Sequence, residues 1–173
     1  MNHIENLGFK LNIEKSVMKP SQRIDFIGIT LDAVSLSARL SQERVESFMK
    51  CVALFRLDHE VRFETCLRLT GLMASAIALV RLSRLYMRPF QRWVQSLGIP
   101  NSHKFRRVPV TRSCVLALQR WRDERFLTEG VSIGLITSRK VITTDASLTG
   151  WGATHEGRFA RGVWNEELAS AHI

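Results

Sequence analysis

Residues 141–164 read VITTDASLTGWGATHEGRFARGVW, and the reading of this stretch decides the fold. Apolar and polar residues alternate with a period of two in three runs, Val141 to Ser147, Trp151 to His155 and Phe159 to Trp164. Side chains of a strand point alternately to its two faces, so such runs are strands, and the short glycine-containing connections between them are hairpin turns. Working outward, the period changes. Upstream of Arg139 the apolar residues recur at helical spacing, and only residues 4–40 return to strand-like patterning. A helical middle between two strand-bearing ends predicts an α+β fold.

The first 40 residues read as a short α/β piece, punctuated by Gly8, Asn12 and the turn signal Pro20-Ser21-Gln22. Ile24 to Leu31 is predicted as one strand, with Val34 to Leu40 as its hairpin partner. Ser41 is placed to cap a helix carrying Glu43 in its first turn and Val45, Phe48, Met49, Val52 and Phe55 on one face. A second helix starts near Phe63, with Leu69, Leu72, Met73, Ala76, Ile77 and Val80 on a common face, and Pro89 is expected to kink or end it. A short helix with Phe90, Trp93, Val94 and Leu97 stops at Gly98 and Pro100, Asn101 to Pro109 is a basic linker, and residues 111–127 form a further helix. The domain boundary falls between Leu127 and Ser138. The stop at His172-Ile173, within a helix expected from near Asn165, reads as that of a fragment.

Charge is unevenly spread. The chain has 173 residues and a formal charge of +9. Residues 61–130 hold 13 basic and 4 acidic residues, while the segments on either side are each neutral, so the middle carries the whole excess. Because these charges lie among Leu, Ile, Val and Trp, they decorate a folded surface rather than a tail. A hydrophobic content of 45% supports a packed core and excludes a disordered chain. The longest uncharged stretch of the basic segment, Leu69 to Val80, is too short for a membrane span. Met1-Asn2-His3-Ile4-Glu5 is no signal peptide, and Cys51, Cys66 and Cys114 fit a reducing compartment, so an intracellular location, cytoplasmic or nuclear, is expected rather than secretion.

Three sets of residues could carry chemistry. Asp145 stands on the strand Val141 to Ser147. A carboxylate within a half-buried sheet is costly unless paired or metal-bound, and two-metal phosphodiester hydrolysis needs several converging carboxylates. The alternative is a turn aspartate bonded to the backbone near Thr149. Arg81, Arg84, Arg88 and Arg92 fall within roughly 80° of one another on an ideal helix, a row suited to a phosphate backbone. No acidic residue lies between Glu64 and Asp123, and Arg106, Arg107 and Arg112 extend the sign. The alternative is a solvated helix face. Lys15 and the Gly28-containing strand form the third set, where a strand glycine marks close backbone approach. Each of these alone reads as structural. The five histidines show no metal-ligand spacing, and Trp93 and Trp121 read as core.

The order of these pieces carries a resemblance. Leu7-Gly8-Phe9-Lys10-Leu11-Asn12-Ile13-Glu14-Lys15-Ser16, then Pro20-Ser21-Gln22, then Asp25-Phe26-Ile27-Gly28 resembles a block of retroelement reverse transcriptases that lies just after the polymerase Tyr-X-Asp-Asp box. Thr143-Thr144-Asp145-Ala146-Ser147, Gly150-Trp151-Gly152-Ala153, Gly162-Val163-Trp164 and His172-Ile173 resemble the start of the attached ribonuclease H domain. The form of the second block is most similar to DIRS-like elements, with gypsy-like elements second.

The resemblance implies residues 1–40 as the end of a polymerase palm, 41–130 as thumb and connection helices, and 138–173 as the start of a truncated ribonuclease H-like fold. Lys15 would match the palm lysine near the incoming nucleotide, and Phe26, Ile27 and Gly28 the primer grip. Arg81, Arg84, Arg88, Arg92, Arg106 and Arg107 would grip a template–primer duplex or RNA–DNA hybrid, and Asp145 would be the first carboxylate for magnesium. The rest of a polyprotein is the implied partner. The chain has no adjacent aspartates, and the later ribonuclease H carboxylates are missing, so catalysis by this chain alone is not expected. The alternative is a domesticated, non-catalytic nucleic-acid-binding or interaction module.

Overall fold

The computed structural model describes residues 5–134 and 140–165. Among them the architecture is mixed α and β, with antiparallel sheets and five α-helices. The chain divides into two compact units, residues 1–134 and 135–173. No helix of the described residues is long and apolar enough to cross a membrane. The predicted final helix lies outside the described residues.

The first unit opens with a 3-10 turn, Ile13–Lys15, and a hairpin of β1 (Arg23–Phe26) and β2 (Ile29–Asp32). This corrects the single strand expected over Ile24 to Leu31. Ile27 and Gly28 both have positive φ, 50° and 77°, as a two-residue type I′ turn requires, so the chain reverses where continuous alternation had been read. The predicted return strand is present as β3 (Ser37–Leu40), paired with β2 through Ile29 opposite Leu40 and Asp32 opposite Ser37. Between them Asp32 accepts the amides of Val34 and Ser35 at 2.9 and 3.0 Å. Those bonds, Ser35 first, hold its carboxyl below the ordinary value.

Helix α1 (Gln42–Val52) buries Val45, Phe48 and Val52, with Phe55 beyond its end. Strand β4 (Glu60–Arg62) leads into α2 (Phe63–Ser75). This helix stops well before Pro89. Ala76, Leu79 and Val80 are buried in a tight turn, Leu82 is left-handed at φ 57°, and the buried Ser83 hydroxyl donates to the Ile77 carbonyl at 3.3 Å. Apolar spacing alone does not distinguish such a buried turn from another helical turn. Helix α3 (Ser83–Ser96) carries Pro89 inside it and ends before Gly98, whose φ of 60° suits a left-handed helix stop.

The predicted basic linker is partly structured. It holds a 3-10 turn, Asn101–His103, and β5 (Arg107–Pro109), which pairs with β4. Residues 111–127 are three short pieces: α4 (Arg112–Ala117), a 3-10 turn at Arg120–Arg122 and α5 (Glu124–Thr128). Asp123 makes the break by accepting the Arg125 amide at 3.0 Å and starting a new helix. The chain then returns as β6 (Val131–Ser132) to the free edge of β3, giving the sheet order β1-β2-β3-β6. Gly130 permits that approach, since a Cβ there would stand 2.6 Å from the Ala38 carbonyl oxygen.

Trp121 is the centre of the core. It stacks on Phe48 with ring centroids 5.3 Å apart, meets Phe126 edge-on, and donates its indole N–H to the Tyr86 carbonyl at 3.0 Å. Trp93 is also buried and donates to the Thr111 hydroxyl at 2.9 Å. Both tryptophans are core, as their spacing predicted.

The second unit is an antiparallel meander of β7 (Thr143–Ala146), β8 (Gly150–His155) and β9 (Arg158–Val163). These are the three strands read from the period of two. Glu156 and Gly157, with φ of 48° and 75°, form a second positive-φ turn. Ser147 organises the first connection by accepting the amides of Thr149 and Gly150 at 3.3 and 3.2 Å.

Candidate nucleic-acid interface

Helix α3 presents the basic stripe. Ser83, Met87, Phe90 and Trp93 face the core, which leaves Arg84, Arg88 and Arg92 on the solvent side. They are four residues apart, so their Cα atoms climb about 6 Å per step and rotate about 40°. None of the three is in an ion pair among the described residues. Arg81 departs from the expected row. It lies in the turn before the helix, and its guanidinium stands 3.7 Å from Glu129. This acidic partner stands just after α5, outside the i,i+4 spacing of a single helix. The row on α3 is therefore three arginines long.

Arg107 starts β5 and Arg106 immediately precedes it. Both are exposed, and Arg107 stands 3.9 Å from Glu60. Arg62, which sequence reasoning did not single out, is directly opposite Arg107 in the ribbon. Only the strand register reveals that pairing.

Phe26, Ile27 and Gly28 form the tip of the first hairpin. Phe26 is 59% exposed and Ile27 75% exposed, so two large apolar side chains project to solvent from a tight turn. The Arg44 side chain lies over Gly28, where a Cβ would stand 2.7 Å from its Nε. The glycine that had been read as a strand position permits both the turn and this overlay. Lys15 ends the 3-10 turn that precedes β1.

Asp145 lies on β7, opposite Gly152 of β8, which is in turn opposite Arg161 of β9. Opposed residues share a sheet face, so a carboxylate and a guanidinium flank a glycine. The open groove there has a volume of about 710 Å³. Asp145 is exposed, contrary to the half-buried position expected, and it accepts the Ala146 amide at 2.8 Å. It thus escapes the desolvation cost that had singled it out. Arg161 was missed because its nearness to Asp145 depends on two successive strand pairings.

The magnesium implied by the resemblance finds no fit on the described residues. No three His, Cys, Asp or Glu side chains among them come together as a metal site. Among the described residues Asp145 is the one carboxylate lining the groove, whereas a two-metal centre takes several. Glu166 and Glu167 lie outside the described residues. The three cysteines are buried and free; burial raises all three thiols, Cys66 and Cys114 to about 12. They are inert packing groups at neutral pH.

No family model matches the chain, and no curated protein matches it. Among solved structures it is similar to a foamy viral protease–reverse transcriptase in complex with double-stranded DNA. The identity is 11% and the TM-score 0.47, over 86% of this chain and 25% of that one. This chain thus spans about a quarter of that protein's length.

Proposed function

We propose that the chain binds duplex nucleic acid, a template–primer or an RNA–DNA hybrid, through the phosphate backbone and without sequence preference. The observation that carries this reading is the row Arg84, Arg88 and Arg92 on the solvent face of α3, free of ion pairs among the described residues. Guanidiniums at one-turn pitch stay charged and offer forked donors to phosphate oxygens. Arg106 and Arg107 add the same sign, and the exposed hairpin tip of Phe26, Ile27 and Gly28 supplies an apolar contact for a strand terminus. Lys15 is assigned a place near a phosphate group.

The order of motifs supports descent from a retroelement reverse transcriptase–ribonuclease H polyprotein, DIRS-like before gypsy-like. Within that lineage Asp145 is the inherited first ribonuclease H carboxylate. The role proposed for this chain by itself is binding rather than cleavage.

Anisotropy of a labelled RNA–DNA hybrid, titrated with the full chain at several salt concentrations, tests the reading. The slope of log K against log salt is expected to fall by about two to three in the Arg84→Ala, Arg88→Ala, Arg92→Ala triple variant, at roughly 0.9 per phosphate contact. A triple variant as salt-dependent as the parent chain would overturn it.

A further inference from the structure

The ribbon of β4 and β5 carries a charge arrangement that the row on α3 does not explain. Its register sets Val61 opposite Val108, both buried, on one face. On the other face Arg62 stands directly opposite Arg107, and Glu60 opposite Pro109. Directly opposed residues of an antiparallel pair have Cβ atoms about 4.5–5.5 Å apart, and like charges there destabilise the pair. Glu60 answers only one of the two arginines, at 3.9 Å from Arg107, with both side chains more than half exposed. Arg62 is in no ion pair among the described residues.

The ribbon cannot slip to relieve this repulsion. A shift by one residue would turn Val61 and Val108 out of the core. The register is held further by the Phe63 amide donating to the Arg106 carbonyl at 2.8 Å and the Glu64 amide donating to the Lys104 carbonyl at 2.7 Å. Those two bonds also occupy the first two amides of α2, so neither is free to bind an anion. Lys104 and Arg106 are exposed beside them and raise the local positive potential.

We propose that Arg62 and Arg107 form a phosphate clamp, in which one phosphate group bridges the two guanidiniums and offsets their mutual repulsion. The shared chemistry is the phosphate oxyanion, supplied either by free phosphate or by a nucleic-acid backbone. The nucleic-acid source rests on the function proposed above; the free-phosphate source does not.

Two measurements on the full chain test the clamp. In the first, thermal unfolding is followed at low salt, with inorganic phosphate or with chloride at matched ionic strength. Phosphate is expected to raise the Tm of the parent chain above the chloride control. That increment disappears in both Arg62→Ala and Arg107→Ala. Without phosphate, Arg62→Ala is expected to unfold no lower than the parent, because repulsion has been removed. An increment of equal size in parent and variants would overturn the clamp.

In the second, Arg62→Ala should lower the salt slope of hybrid binding by about one. An Arg62-dependent phosphate increment with an unchanged slope supports the clamp for free phosphate and overturns its nucleic-acid source. A parent chain that binds no hybrid but keeps the Arg62-dependent increment overturns the function proposed above and leaves the clamp standing.

Discussion

Ile27 occupies left-handed backbone space at φ 50°, where a β-branched side chain is disfavoured by roughly 1–2 kcal/mol. A type I′ turn of this kind prefers Asn-Gly, and Gly28 is already in place. Ile27→Asn is therefore expected to stabilise the chain by about 1 kcal/mol, read as a higher urea midpoint at unchanged m-value. The same variant would remove an apolar contact from the hairpin tip. Trp121 represents the opposite case, since it is fully buried with its N–H satisfied. Trp121→Ala should cost about 3–5 kcal/mol by transfer and cavity terms, measurable in the same titration. Its core role was legible from its apolar neighbours. The strain at Ile27 was not, because a continuous alternation hides a two-residue reversal.

At the scale of elements, spacing located more than it delimited. Helix α1, the start of α2, the second half of α3 and the three strands of the second unit follow from periodicity and turn residues, whereas Pro89, expected to kink or end a helix, lies inside α3. The boundary at Leu82 does not, because Ala76 to Val80 are as apolar as a helix face yet are buried in a turn. The row on α3 bears the test of function at this scale: alanine at Arg84, Arg88 and Arg92 should flatten the salt dependence while leaving the fold intact, since all three face solvent. Far-ultraviolet circular dichroism and unfolding midpoints like the parent's would separate a binding loss from a folding loss. Asp145 was legible as a strand position. Its exposure and its placement across Gly152 from Arg161 depend on strand pairings that no single run of residues encodes.

At the scale of the whole molecule, the three buried thiols link stability to pH. Burial raises Cys66 and Cys114 from an ordinary value of 9.0 to about 12, and Cys51 in the same direction. The folded state thus holds protons that the unfolded chain releases. This stabilisation is complete below the ordinary thiol value and is lost as pH rises towards 12. Unfolding midpoints should fall between pH 9 and 12, and a Cys66→Ala, Cys114→Ala variant should show a shallower decline. Native chains should react slowly with a thiol reagent at neutral pH, and all three cysteines should react on unfolding.

The amino-acid sequence by itself determined the concentration of charge in residues 61–130, the alternation of helical and strand periods, and the order of motifs that resembles a reverse transcriptase followed by ribonuclease H. These are properties of neighbouring residues, and local sterics and amphipathic spacing express them directly. Tertiary structure alone decided that Arg62 meets Arg107, that Arg81 is drawn to Glu129, and that Asp145 shares a sheet face with Arg161. The first two pairs join residues far apart in the chain, and the third spans two successive hairpins. For Arg62 and Arg107 that meeting is set by the burial of Val61 against Val108, and for Asp145 and Arg161 by two successive strand registers, neither of which a single run of residues records.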